Sequence, residues 1–175
     1  MAIRRIVKFG DPVLSTPTQP VTEINNEVRI LVRDMIETMY AAPGVGLAAN
    51  QVGVSLRVAV IDVTAGQEPG HLLLMINPEV IEREGTQVEE EGCLSIPGFT
   101  EYVQRPARAV IRAIDLEGKE FTMEGRELLA RAFCHETDHL DGKLFLDRLS
   151  GIKRQLLAKK VKRASEGRDW NEVYP

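Results

Sequence analysis

The sequence predicts an α+β fold in a single compact domain, with mostly antiparallel or mixed strands around a central helix and further helices near each end. Three observations carry that reading. A helix-period segment comes first, strand signals crowd the middle, and helical periodicity returns late without regular βαβ alternation. A length of 175 residues suits one core, since domains usually hold roughly 100–200 residues.

The first helix follows Thr22-Glu23-Ile24-Asn25. Val28, Leu31, Val32, Met35, Ile36 and Met39 recur at helical spacing, with Glu27, Arg29, Arg33, Asp34 and Glu37 on the other side. Asn25 or Thr22 caps its start and Pro43-Gly44 stops it. Residues 56–63 are rich in β-branched side chains and read as a strand, followed by a turn across 66–70. Residues 72–76 form a short apolar run closed by Asn77-Pro78, and the more polar 80–90, with Gly85 at its centre, reads as a hairpin arm or an exposed strand. Residues 109–114 and 121–123 flank Asp115-Leu116-Glu117-Gly118-Lys119, a hairpin with Gly in its loop. The central helix is expected over 125–140, with Gly142 as its C-cap. A last helix starts near Ser150, its Ile152, Leu156, Leu157 and Val161 set among six basic residues. Residues 165–175 read as an irregular tail, leaving 1–164 as the domain.

Composition excludes several roles. Lys and Arg number 22 against 26 Asp and Glu, a net charge of −4, so a protein built to grip nucleic acid is not expected and DNA is no partner. Two cysteines are too few for a disulfide framework. No apolar run approaches the ~18 residues that span a bilayer, so no membrane partner is expected. The basic N-terminus breaks at Gly10-Asp11-Pro12 without a signal-type apolar core. These features read as a soluble, reducing-compartment, cytoplasmic protein.

Chemistry concentrates in His135-Glu136-Thr137-Asp138-His139. On a helix His135 and His139 project from one face and reach one metal ion, while Glu136 lies about 100° round, placed to hold a polarised water as general base. A third ligand is then needed. Six residues beyond the second His stands Phe145 rather than another His, and Glu166 lies in a polar stretch, so the familiar metallopeptidase sets are incomplete. Cys93, in Glu91-Gly92-Cys93-Leu94-Ser95-Ile96-Pro97, completes a Cys/His/His set and leaves a position open for water. A closed Cys2His2 structural site with Cys134 is the alternative, although Cys134 points about 100° from His135 and reads as core. His71 reads as structural or exposed. In Gly44-Val45-Gly46-Leu47-Ala48-Ala49-Asn50-Gln51, small residues permit close backbone approach, and Gln51 offers an amide N–H to a developing oxyanion. A Gly/Ala-rich turn under a strand reads equally well there.

Taken together, the three segments resemble the motifs of the peptide deformylase family, in the family's order and without departure at the matching positions. The likeness runs from Phe9-Gly10-Asp11-Pro12 through the last helix. It implies a hydrolase that removes the formyl group from N-formylmethionyl polypeptides and releases formate. It implies one divalent metal per chain, Fe(II) first, with Zn, Ni or Co accepted. Cys93, His135 and His139 would hold the ion, Glu136 would be general acid and base, and Gln51 with the Leu94 N–H would stabilise the oxyanion.

Substrate contacts follow the same likeness. Leu128 and Ala132 share the helix face of His135, and with Val45 and Leu94 they outline an apolar methionine pocket; each alone reads as readily as core packing. Backbone at Val45, Gly46 and Leu94 would pair with an extended peptide. Glu91 and Asp138 adjoin ligand positions and would support them, and the likeness implies an Asp138–Arg105 salt bridge. Glu89 and Glu90 read as solvated. The family also suggests that the basic last helix docks on the ribosome.

Overall fold

The computed structural model describes residues 2–167 and 169–170. In chain order its elements are α1 (Asn26–Ala41), β1 (Gly46–Ala48), β2 (Val58–Ile61), β3 (Leu73–Glu84), β4 (Gln87–Cys93), β5 (Ile96–Arg105), β6 (Arg108–Ile114), β7 (Glu120–Arg126), α2 (Leu128–Leu140) and α3 (Gly151–Ser165), with short 3-10 turns between. The architecture is α+β. A five-stranded antiparallel sheet runs in the order β1-β2-β3-β6-β7, and β4 pairs with β5 as a separate hairpin.

Helices α1 and α2 cover opposite faces of the larger sheet, and β2 shows why. Val58 and Val60 pack against Leu31, Met35 and Met39 of α1, while Ala59 and Ile61 pack against Phe133 and Ala130 of α2. A strand covered on both faces is apolar at every position, so its sequence shows no alternation. A third cluster joins the β4–β5 hairpin to α3 through Ile96, Val103, Phe145, Leu157 and Val161.

Asn25 caps α1, its Oδ1 accepting the Val28 N–H at 3.0 Å; Thr22 does not. Asn77-Pro78 does not close a strand as expected. β3 continues through it across two register shifts, with Asn77 at φ 52°. Asn tolerates that conformation, and its amide replaces lost ladder bonds by accepting from Val21 N–H and donating to Val21 C=O. Arg57 in turn satisfies the Pro78 carbonyl.

The stretch 80–90 divides at Gly85, one part ending β3 and the other opening β4 in a different sheet. The central helix begins at Leu128 rather than 125, because β7 runs on to Arg126. Gly125 lies beneath the helix, where an added Cβ would stand 2.6 Å from Phe133 Cε2.

Ser165 ends α3, and Trp170 is buried against Phe99 with ring centroids 6.4 Å apart. The rest of the tail, 168 and 171–175, lies outside the described residues. Among the described residues no helix is long and apolar enough to cross a membrane.

Candidate metal and catalytic centre

Two adjacent turns of α2 present His135 and His139, and Cys93 meets them from the end of β4, where the register shift at Gly92/Cys93 precedes the turn into β5. His139 Nε2 stands 3.0 Å from His135 Nε2 and 3.3 Å from Cys93 Sγ. All three donor atoms lie within 4.8 Å of one another. Metal bonds of about 2.0–2.3 Å at tetrahedral angles place donors roughly 3–4 Å apart, so a sulfur and two imidazole nitrogens here suit one divalent ion. Cys134 is buried beside Phe133, where burial raises its thiol, and it does not join the donor group. The closed Cys2His2 arrangement is therefore not formed. Phe145 is core, and His71 is on the surface, 3.2 Å from Glu68.

Behind the donors runs a chain of charges. His135 Nδ1 lies 2.5 Å from Glu91 Oε1, which leaves Nε2 for an ion. Arg105 grips Glu91 through Nη2 at 2.7 Å and Nε at 3.2 Å, and its Nη1 reaches Asp138 Oδ2 at 2.6 Å. Arg148 closes the chain with two bonds to Asp138. Burial opposes ionisation of Glu91, but hydrogen bonds from His135 and Arg105 outweigh it and hold the carboxyl down to about 2. Burial opposes charge on His135 too, and its bonds with Cys93 and Glu91 raise it nonetheless; burial and then the charge of His135 keep His139 low. The Arg105–Asp138 pair is present, and Arg148 is an addition with no motif of its own.

Glu136 is buried against the backbone of β1. A Cβ on Gly46 would run into its carboxylate, so glycine gives the acid its place. Its Oε2 has no protein partner among the described residues, and burial pushes its pKa up to about 7.

Gln51 is fixed at both ends of its amide. Oε1 accepts the Ala48 N–H at 3.0 Å, which turns Nε2 towards Ser95 Oγ at 3.1 Å and Cys93 Sγ at 3.6 Å. The N-terminal segment ties down both turns of that arrangement: Val7 N–H donates to Gln51 C=O and Phe9 N–H to Ser95 C=O, at 2.7 and 2.8 Å. Asn50, with no role assigned from sequence, donates to the His139 carbonyl at 2.5 Å.

A cavity of about 380 Å³ opens beside these groups. Val45, Gly46, Leu94, Leu128 and Ala132 all line it, together with Gln51, Cys93, His135 and Glu136. Glu90, read as solvated, also lines it and takes the Thr100 hydroxyl at 2.5 Å.

An apolar cavity that ends in a Cys/His/His donor set, a buried carboxylate and an aimed amide defines the metal-binding hydrolase class of site. The family model for polypeptide deformylase matches residues 3–155. A peptide deformylase of Acidobacterium capsulatum is 51% identical over 170 residues, covering 97% of this chain and 100% of its own. The crystal structure of a peptide deformylase from Legionella pneumophila superposes with a TM-score of 0.87 at 41% identity, over 94% of this chain and 96% of that one. One from Synechococcus elongatus, in complex with actinonin, gives 0.83 at 39% identity, over 89% and 86%. This chain belongs to the polypeptide deformylase family, and it is an enzyme of the hydrolase class.

Proposed function

We propose that this enzyme removes the formyl group from the N-terminal formylmethionine of nascent polypeptides, with Cys93, His135 and His139 holding one divalent metal and Glu136 as general acid and base. The observation that carries this is the convergence of the three donor atoms within 4.8 Å beside a buried carboxylate. A divalent ion held there supplies Lewis acidity and makes water a nucleophile at neutral pH. Fe(II) is the proposed resident, and Zn, Ni or Co suit the same thiolate and imidazole donors.

Glu136 takes the proton of the attacking water and returns it to the nitrogen that leaves, so that water adds to the formyl carbon and the C–N bond breaks. Formate and a free α-amine result. Gln51 Nε2 and the Leu94 N–H donate to the formyl oxygen as it gains charge. Val45, Leu94, Leu128 and Ala132 take the methionine side chain, and backbone at Val45, Gly46 and Leu94 pairs with the extended peptide. Glu91, Asp138 and Arg105 hold the ligands in orientation.

The test is formate release from a formyl-Met peptide by protein loaded anaerobically with Fe(II), Ni or Co. Turnover is expected, and Glu136→Gln should abolish it while metal content stays at wild-type level. No turnover with any of the three ions would end this reading.

We place the enzyme in the cytoplasm, where formylated chains emerge, with α3 docking on the ribosome. α3 exposes Ile152 and Leu156 beside Lys159, Lys160, Lys162 and Arg163. Its Leu157 and Val161 belong to the core, so truncation would damage the fold. Lys159→Glu with Lys160→Glu should instead weaken cosedimentation with ribosomes while leaving the melting temperature in place. Unchanged cosedimentation would remove the proposal.

A further inference from the structure

Arg131 sits on α2 one turn before His135 and lines the same cavity, yet none of the roles above uses it. Its Nη1 donates to the Glu90 carbonyl at 3.3 Å, a long bond, and its Nε is buried with no hydrogen-bond partner among the described residues. A guanidinium carries five N–H donors, so a single long bond leaves this one under-used.

The nearby carboxylates are already engaged. Glu91 is held by Arg105 and His135, and the Glu90 carboxylate takes the Thr100 hydroxyl. Among the described residues, Arg131 is a cavity-lining cation without a carboxylate of its own. We propose that Arg131 reads substrate charge, binding a carboxylate on one of the two residues that follow the formylated methionine. The inference rests on the deformylase reading.

Spacing sets the position. Four residues of helix place Arg131 about 6 Å along the axis from His135. An extended peptide advances about 3.3 Å per residue, so the side chain meeting Arg131 belongs to the second or third residue of the chain. A planar guanidinium matches a carboxylate through two parallel N–H bonds, and such pairing at a half-exposed rim acts on binding rather than on chemistry. The result is a charge preference superimposed on backbone pairing, which itself ignores side-chain identity.

The experiment uses metal-loaded enzyme and amidated peptides, formyl-Met-Xaa-Ala and formyl-Met-Ala-Xaa, with Xaa as Glu, Gln or Lys. Glu should exceed Lys in kcat/KM by about three- to tenfold at one of the two positions, with the difference in KM. The preference should shrink in roughly 0.5 M salt. Arg131→Gln should level the series, Arg131→Glu should reverse it, and Arg131→Lys should keep its sign. Because the readout is a ratio between peptides, a general loss of activity in a variant does not imitate it.

Equal turnover of all peptides by wild type, or a preference that survives Arg131→Gln, would overturn the assignment. If wild type turns over no formyl peptide at all, the deformylase reading itself fails and Arg131 loses its substrate with it.

Discussion

Gln51 holds one orientation because its two amide ends meet different partners. The Ala48 N–H selects the oxygen, and the nitrogen is left to Ser95 and the side of Cys93 facing the cavity. That makes a sharp substitution available. Gln51→Glu keeps an acceptor for Ala48 but replaces the donor with a second acceptor. Loss of one oxyanion donor lowers rates by about 10²–10³, so kcat should fall by that factor while bound metal per chain is unchanged. Formate release measured beside metal analysis checks both. A variant with normal kcat would relieve Gln51 of the role. Gly46 shows the same economy, since the space a methyl would fill is taken by the Glu136 carboxylate.

At the scale of elements, the β4–β5 hairpin connects the sheet region to α2 through Arg105. This side chain is buried between Glu91 and Asp138, and removing it leaves His135 to hold Glu91 and the half-exposed Arg148 to hold Asp138. Arg105→Ala should destabilise the metal-free protein by about 3 kcal/mol in urea titrations, the low end for breaking a buried ion pair, because the remaining partners compensate the two carboxylates only in part. It should also weaken metal binding by about 10–100-fold, since His135 loses the carboxylate alignment that orients its ring. Chelator competition measures that second effect, and unchanged affinity would confine Arg105 to folding. The hairpin is also where sequence was least legible. Its inward positions carry Glu91, Glu101 and Arg105, so the strand pattern has charges where apolar residues would announce a buried face. α1 and the β6–β7 hairpin were readable because their apolar periods and turn residues agree with the fold. His135, His139 and Cys93 were readable because their chemistry has few other uses at that spacing. Arg148, Asn50 and Arg131 act through distances that appear only once the chain has closed on itself.

The whole molecule brings together three segments far apart in sequence, and two of its buried carboxyls shift in opposite directions: burial raises both, but the bonds from His135 and Arg105 pull Glu91 down. Glu91 is held down to about 2, so its stabilising contribution is complete above its ordinary value near 4.5 and is lost as acid approaches pH 2. Glu136 runs the other way. Burial raises it to about 7 in the metal-free protein, so the native state keeps a proton that the unfolded chain has released. Stability on its account is complete below about 4.5, declines as pH rises from there to 7, and is level beyond. The decline is on the order of 3 kcal/mol for a shift of that size. Metal-free Glu136→Gln has no such proton to lose, so its unfolding free energy should match wild type near pH 4.5 and exceed it increasingly up to pH 7. Urea titrations across that range check the divergence. Parallel curves for the two proteins would mean that Glu136 ionises in its buried position at no penalty, and that its readiness to carry a proton has another origin.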